Sequence, residues 1–126
     1  MSTKNVKKTV FRALALSFSI HASLVNAADF TEKDFQSQSL GHGVYELAYD
    51  KGQNALYAAS APSFEKDKTA GLVFQLDANS LKINHKIATE RRTFAVALDE
   101  ANHTLYLGNA MEGSIALLDT DRKSVV

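Results

Sequence analysis

The chain repeats itself, and the repeat limits what it can fold into. Residues 45–60 (YELAYDKGQNALYAAS) lie over residues 94–109 (FAVALDEANHTLYLGN), with Asp50 and Asp99, Leu56 and Leu105, and Tyr57 and Tyr106 identical. A second block follows each. Residues 71–84 (GLVFQLDANSLKIN) lie over residues 113–126 (GSIALLDTDRKSVV), sharing a Gly, a Leu (Leu76, Leu118) and an Asp (Asp77, Asp119). The step between copies is 49 residues from Tyr45 to Phe94 and 42 from Gly71 to Gly113, so the first copy carries seven extra residues in its middle. Such a chain builds one structural unit twice, and its fold is one that stacks such units.

The unit is made of short strands. Tyr45, Leu47 and Tyr49 alternate with Glu46, Ala48 and Asp50, the period of a strand with two different faces. Residues 50–54 have the turn chemistry of Asp, Gly and Asn, and residues 55–60 return as an almost wholly apolar strand, covered on both faces. The loop 61–70 (APSFEKDKTA) holds the only Pro, four charges and the seven-residue excess. Third and fourth strands are expected at 72–77 and 81–87, with a turn at 78–80. The second copy places strands at 94–98, 104–108 and 114–118, and residues 123–126 match the first half of a fourth. A four-stranded antiparallel meander recurring at a forty-odd spacing is a propeller blade. The fold class is therefore all-β, a beta-propeller portion with blade 1 at about 41–88 and an incomplete blade 2 at about 89–126.

The start of the chain reads differently. Lys4, Lys7, Lys8 and Arg12 form a basic region without acids, followed by the apolar run 13–20 and small residues up to Val25, Asn26 and Ala27. This order predicts a signal peptide over 1–27, cleaved after Ala27, and hence an exported protein, which the resemblance named below implies is periplasmic. The apolar run is shorter than the roughly 20 residues that span a bilayer, and without cysteine there is no lipid attachment through a lipobox, so no membrane anchor is expected. Removing the four basic residues leaves ten Lys and Arg against 14 Asp and Glu, a formal −4, which gives no general support for binding to nucleic acid or anionic membranes. Residues 28–40 form a polar lead-in, expected to pair as a strand near its end.

At this point the residues carry a family resemblance. LYAAS followed by GLVFQLD, and LYLGN followed by GSIALLD, resemble the YVTN-type beta-propeller repeat. GVYELAYDKGQNALYAAS with the loop bearing Lys66, Asp67 and Lys68 is similar to the start of YncE-like proteins of the bacterial periplasm. The resemblance covers about residues 41–126. It implies a seven-bladed propeller of which this chain holds two blades, an N-terminal fragment. The Pro that often precedes a blade's first strand is Val44 in one copy and Thr93 in the other. The resemblance brings no shared catalytic set.

Few side chains carry chemistry. His42, His85 and His103 lack metal-ligand spacing, so no metal or cofactor is expected. Asp50, Asp77, Asp99 and Asp119 each sit at a strand end, where an Asp side chain accepts backbone N–H groups and fixes the turn. In a propeller the first strand of each blade lines the channel, and the loops at one end form a rim where ligands dock. That rim is expected to carry His42, Lys66 and Lys68 of the charged loop, and the adjacent Arg91 and Arg92. The two arginines read either as a solvated turn or as contacts for phosphate or carboxylate. Glu46 is the only charge within a channel strand, with Ala95 at the matching place.

Two classes of function follow. The first is a non-enzymatic periplasmic binding or scaffold propeller, with an unknown ligand or protein at the rim. A nucleic-acid-binding variant would use the rim Arg and Lys residues and lose affinity steeply with salt. The second is a propeller enzyme, a lactonase or a quinoprotein-like dehydrogenase, with Glu46 the one contribution from these residues. Two blades leave one apolar face uncovered, and self-association is expected.

Overall fold

The computed structural model describes residues 31–126. The signal-peptide reading of 1–27 and the first residues of the lead-in lie outside the described residues. The rest is all-β: two four-stranded antiparallel sheets, each in simple sequential order. The first contains β1 (Val44–Asp50), β2 (Ala55–Ser60), β3 (Gly71–Asp77) and β4 (Ile83–Thr89). The second contains β5 (Ala95–Asp99), β6 (Thr104–Asn109), β7 (Ser114–Asp119) and β8 (Ser124–Val125). These are two blades of a partial beta-propeller.

The repeat is visible at the level of single turns. Asn54, Leu81, His103 and Lys123 have φ of 50°, 57°, 51° and 56°, and each lies four residues after Asp50, Asp77, Asp99 and Asp119 respectively. All four hairpins thus close with one left-handed residue, a conformation that a side chain tolerates only singly. Each leading Asp accepts backbone N–H groups, as expected: Asp50 from Gln53, Asp77 from Asn79 and Ser80, Asp99 from Asn102, and Asp119 from Asp121 and Arg122. The left-handed residue also explains why β4 begins at Ile83 and not at 81: Leu81 belongs to the turn.

Strand alternation assigns the two faces of each sheet. Tyr57, Ala59, Val73 and Ile87 of the first sheet pack with Val96, Leu105, Leu107 and Leu118 of the second in one buried cluster. Each fully buried leucine there contributes about 2 kcal/mol through area removed from water. Ala58, Phe74 and Leu76, on the opposite face of the first sheet, form a separate cluster with Leu40 of the lead-in against it. The described residues of the lead-in, 31–40, form a single 3-10 turn, Glu32–Asp34, and no strand, which corrects the expectation that its end pairs as a strand. Asp34 accepts the N–H and hydroxyl of Thr31, closing the segment on itself.

Polar groups join the two sheets around this core. Glu46 Oε2 accepts the Val96 N–H at 2.6 Å, and Glu100 Oε1 accepts the Gly52 N–H at 2.6 Å. Gln53 reaches Thr120 at 3.3 Å, and within the first sheet Gln75 donates to the buried Tyr57 hydroxyl at 3.1 Å. Burial raises the Tyr57 hydroxyl above the ordinary phenol value.

The crossover 90–94 between the sheets lies directly over Gly71. A Cβ at that position would sit 2.5 Å from the Arg91 carbonyl oxygen and 2.9 Å from the Thr93 nitrogen, so only glycine lets the crossover pass. Thr89 and Thr93 hydroxyls donate to the Arg91 carbonyl and hold the crossover down.

Candidate functional site

Strand order brings the expected rim together. The starts of β1, β3, β5 and β7 and the ends of β2, β4 and β6 share one end of the sheets, with the residues before β1 and the loops 61–70, 90–94 and 110–113. His42, Lys66, Lys68, Arg91 and Arg92 all lie on these segments. The four Asp-led turns occupy the other end.

The side chains at the rim differ in what they can do. His42 and Lys66 are exposed. Lys68 pairs with Glu65 at 2.8 Å, both side chains about 60% exposed (59% and 62%), which leaves the lysine within reach of solvent. Arg91 is exposed, and one guanidinium nitrogen donates to Ser114 Oγ at 2.8 Å. Arg92 departs from the solvated-turn reading of the pair. It is only 6% exposed, and its Nε donates to Glu112 Oε1 at 2.8 Å. Arg92 Nη1 and Glu112 Oε2 are buried without a hydrogen-bond partner, so the pair is a part-buried ion pair with spare donor and acceptor capacity. Alternation along the crossover accounts for this: Arg91 points outward beside β7, and its neighbour turns in under the 110–113 loop.

Glu46 is exposed on β1, as a channel-strand residue would be, yet one carboxylate oxygen is committed to the Val96 N–H. Its geometry is that of a clamp between the first strands of two sheets. Among the described residues no three His, Asp or Glu side chains come together as a metal site requires.

Sequence reasoning missed an aromatic cluster at the same end. Tyr45 and Phe94 rings lie 4.8 Å apart at an interplanar angle of 60°, and Phe64 sits 6.4 Å from Tyr45 and 6.0 Å from Phe94. Tyr45 is 46% and Phe64 59% exposed, so the cluster presents ring surface to solvent next to Lys66 and Lys68 of the same loop. The signal for it was present. Tyr45 and Phe94 are equivalent positions one repeat apart, and Phe64 is the one aromatic residue in an otherwise polar, charged loop.

No family model matches the chain. Curated relatives do. The uncharacterized protein YncE of Salmonella typhi is 31% identical over 100 residues, 77% of this chain and 28% of the relative. That of Escherichia coli O157:H7 is 29% identical over 100 residues, with the same coverage. That of Escherichia coli strain K12 is 30% identical over 82 residues, 65% of this chain and 23% of the relative. The chain thus spans about a quarter of the length of the curated relatives it matches. With two propeller-type sheets in sequential order and this similarity over 77% of its residues, the chain is YncE-like.

Proposed function

We propose that the chain is part of a non-enzymatic periplasmic binding propeller whose ligand docks on the rim end, against the cluster of Tyr45, Phe64 and Phe94. The observation that carries this reading is the exposure of Phe64 and Tyr45, whose rings lie edge to face, with Phe64 on a loop that also carries Lys66 and Lys68. Large apolar rings left in solvent on a structured end are typical of binding surfaces. The ligand class this chemistry suits is an anion carrying a planar or apolar group: rings supply contact area, and Lys66, Lys68, Arg91 and His42 supply positive charge. Arg92 supports the loop through Glu112 and takes no direct part, and Glu46 holds the sheets together beneath the site.

A second reading within the same chemistry is single-stranded nucleic acid, favoured by the aromatic cluster because such binders stack bases on rings at about 1–3 kcal/mol each. The test uses fluorescence anisotropy with two labelled probes, a Phe-containing acidic peptide and an oligothymidylate. Binding of either that falls at least about tenfold in Phe64→Ser, equivalent to about 1.4 kcal/mol, supports the site. For the oligothymidylate, a salt slope reduced by Lys66→Ala with Lys68→Ala marks phosphate contacts. Affinity for both probes unchanged by all three substitutions overturns the rim reading.

A further inference from the structure

Two departures of the first repeat from the second meet at the rim. In β1 the register slips between Val44, opposite Ser60, and Leu47, opposite Ala58, so Tyr45 and Glu46 share one partner position in a β-bulge. Strand β5 pairs with β6 without such a slip. A bulge re-aims the side chains it holds. Here two neighbours that regular alternation would send to opposite faces both reach the second sheet, Tyr45 against Phe94 and Glu46 to the Val96 N–H. The other departure is the seven-residue excess of the loop 61–70, which brings Phe64 onto the same two rings.

That loop is fixed at its ends and free between them. Ser60 pairs with Leu72, so the ends stand side by side as in an Ω-loop. At one end the Ala61 N–H donates to the Gly43 carbonyl at 2.9 Å, and a Cβ on Gly43 would run into the Ala61 carbonyl. At the other, the Thr69 hydroxyl donates to the Glu90 carbonyl at 3.4 Å, just before Gly71 passes beneath the crossover. Among the described residues, 62–68 form hydrogen bonds and ion pairs only with one another: the Glu65 N–H with Ser63, the Lys68 N–H with the Glu65 carbonyl, and the Lys68 ammonium with the Glu65 carboxylate. What ties this span to the sheets is the Phe64 ring. A segment with so few fixed contacts opens at small cost.

We propose that residues 62–68 are a lid on the rim site, with Phe64 as its latch. The lid lifts about Ala61 and Thr69, takes the planar or apolar group of the ligand between Phe64 and the Tyr45–Phe94 pair, and closes on it as catalytic and binding lids do. Phe64 travels, whereas its floor stays: Tyr45 is held in the bulge of β1, and the Phe94 N–H donates to the Gly108 carbonyl at 2.9 Å. Lys66 and Lys68 ride on the lid, so the positive charge moves with the ring. This proposal rests on the rim reading for its ligand and adds the moving part.

Limited trypsin digestion of the purified chain tests it, with mass spectrometry reading cleavage after Lys66 and Lys68, and cleavage after Lys86 within β4 as the measure of unfolded chain. Phe64→Ser and Tyr45→Ser should each speed cleavage in the loop at least about fivefold while cleavage after Lys86 stays unchanged, because proteolysis follows the population of the open form. Saturating oligothymidylate or Phe-containing acidic peptide, its binding read by anisotropy, should slow loop cleavage of the unsubstituted chain at least about fivefold on the same ground. Loop cleavage unchanged in both variants overturns the lid, whatever the probes do. A probe whose affinity falls in Phe64→Ser, yet which leaves loop cleavage as fast as before, overturns the lid and leaves the rim site standing. Probes that do not bind, or that bind with affinity indifferent to Phe64→Ser, overturn the rim reading and closure over a ligand with it.

Discussion

Glu46 reaches from the first strand of one sheet to the backbone N–H of Val96 in the first strand of the next, at 2.6 Å. The bond fixes the spacing of two strands that share no ladder hydrogen bonds. Replacing Glu46 with Ala leaves the Val96 N–H unpaired at a part-buried seam and should cost about 1–2 kcal/mol. Gln at this position keeps an acceptor and should retain most of that stability. Urea unfolding of the two variants measures the difference; equal losses would show that the carboxylate does not act through this bond.

Gly71 and Gly113 hold the same place in the two units but are needed for different reasons. A methyl group at Gly71 meets backbone atoms of the crossover, while Gly113 has φ +61° and nothing within 4 Å of its would-be Cβ. Gly71→Ala should cost about 1–3 kcal/mol through overpacking, and Gly113→Ala about 1–2 kcal/mol through backbone conformation alone. D-Ala at the two positions, introduced by chemical synthesis or ligation, separates the causes: it relieves Gly113, where positive φ is the whole difficulty, and gives no such relief at Gly71.

The Arg92 and Glu112 pair is part-buried, with one buried, unpaired atom on each side. Removing one partner strands the other charge. Glu112→Ala should therefore cost about 3–5 kcal/mol, while the double replacement Arg92→Met with Glu112→Leu should return to within about 1 kcal/mol of the starting stability or exceed it. Thermal and chemical unfolding of the single and double variants gives the comparison.

Three turn aspartates make stability depend on acid. The Ser80 N–H holds Asp77 below the ordinary carboxylate range, the Asn102 side chain does the same for Asp99, and the Arg122 N–H for Asp119. A carboxyl group whose folded value is depressed contributes fully above its unfolded value of about 3.9, and the contribution is lost as pH falls through the folded value. Stability should thus be flat from neutral pH to about pH 5 and decline below about pH 4. Asp77→Asn keeps an acceptor oxygen in the turn without titrating, so its decline should be shallower. Urea midpoints between neutral and strongly acid pH measure the two slopes, and parallel curves would exclude Asp77 as a source.

How legible the fold was depends on range along the chain. Period-2 alternation around Tyr45 to Asp50 and the Asp-led turns place strands and hairpins because those signals are local. Leu81 in a left-handed turn was hidden, since an apolar residue beside a strand reads as part of it. At the rim, Lys66, Lys68 and His42 were found from loop position alone. For Arg92 the sequence left open a solvated turn or a carboxylate contact, and could not choose because the carboxylate, Glu112, lies 20 residues away on another loop. The lead-in was misread for the opposite reason: its polar residues satisfy themselves within a few positions, as Thr31 and Asp34 do. The ring cluster needed two facts at once, the repeat equivalence of Tyr45 with Phe94 and the fold of a distant loop.

The four hairpins of one end are built to a single pattern, Asp first and a left-handed residue four positions later, while loops at the other end range from 61–70 to the much shorter 110–113. One end is thereby a fixed chassis. The other can change length without disturbing strand register, as the seven-residue difference between the two copies already demonstrates. Loops can be exchanged there from one unit to another while the sheets beneath keep their sequence.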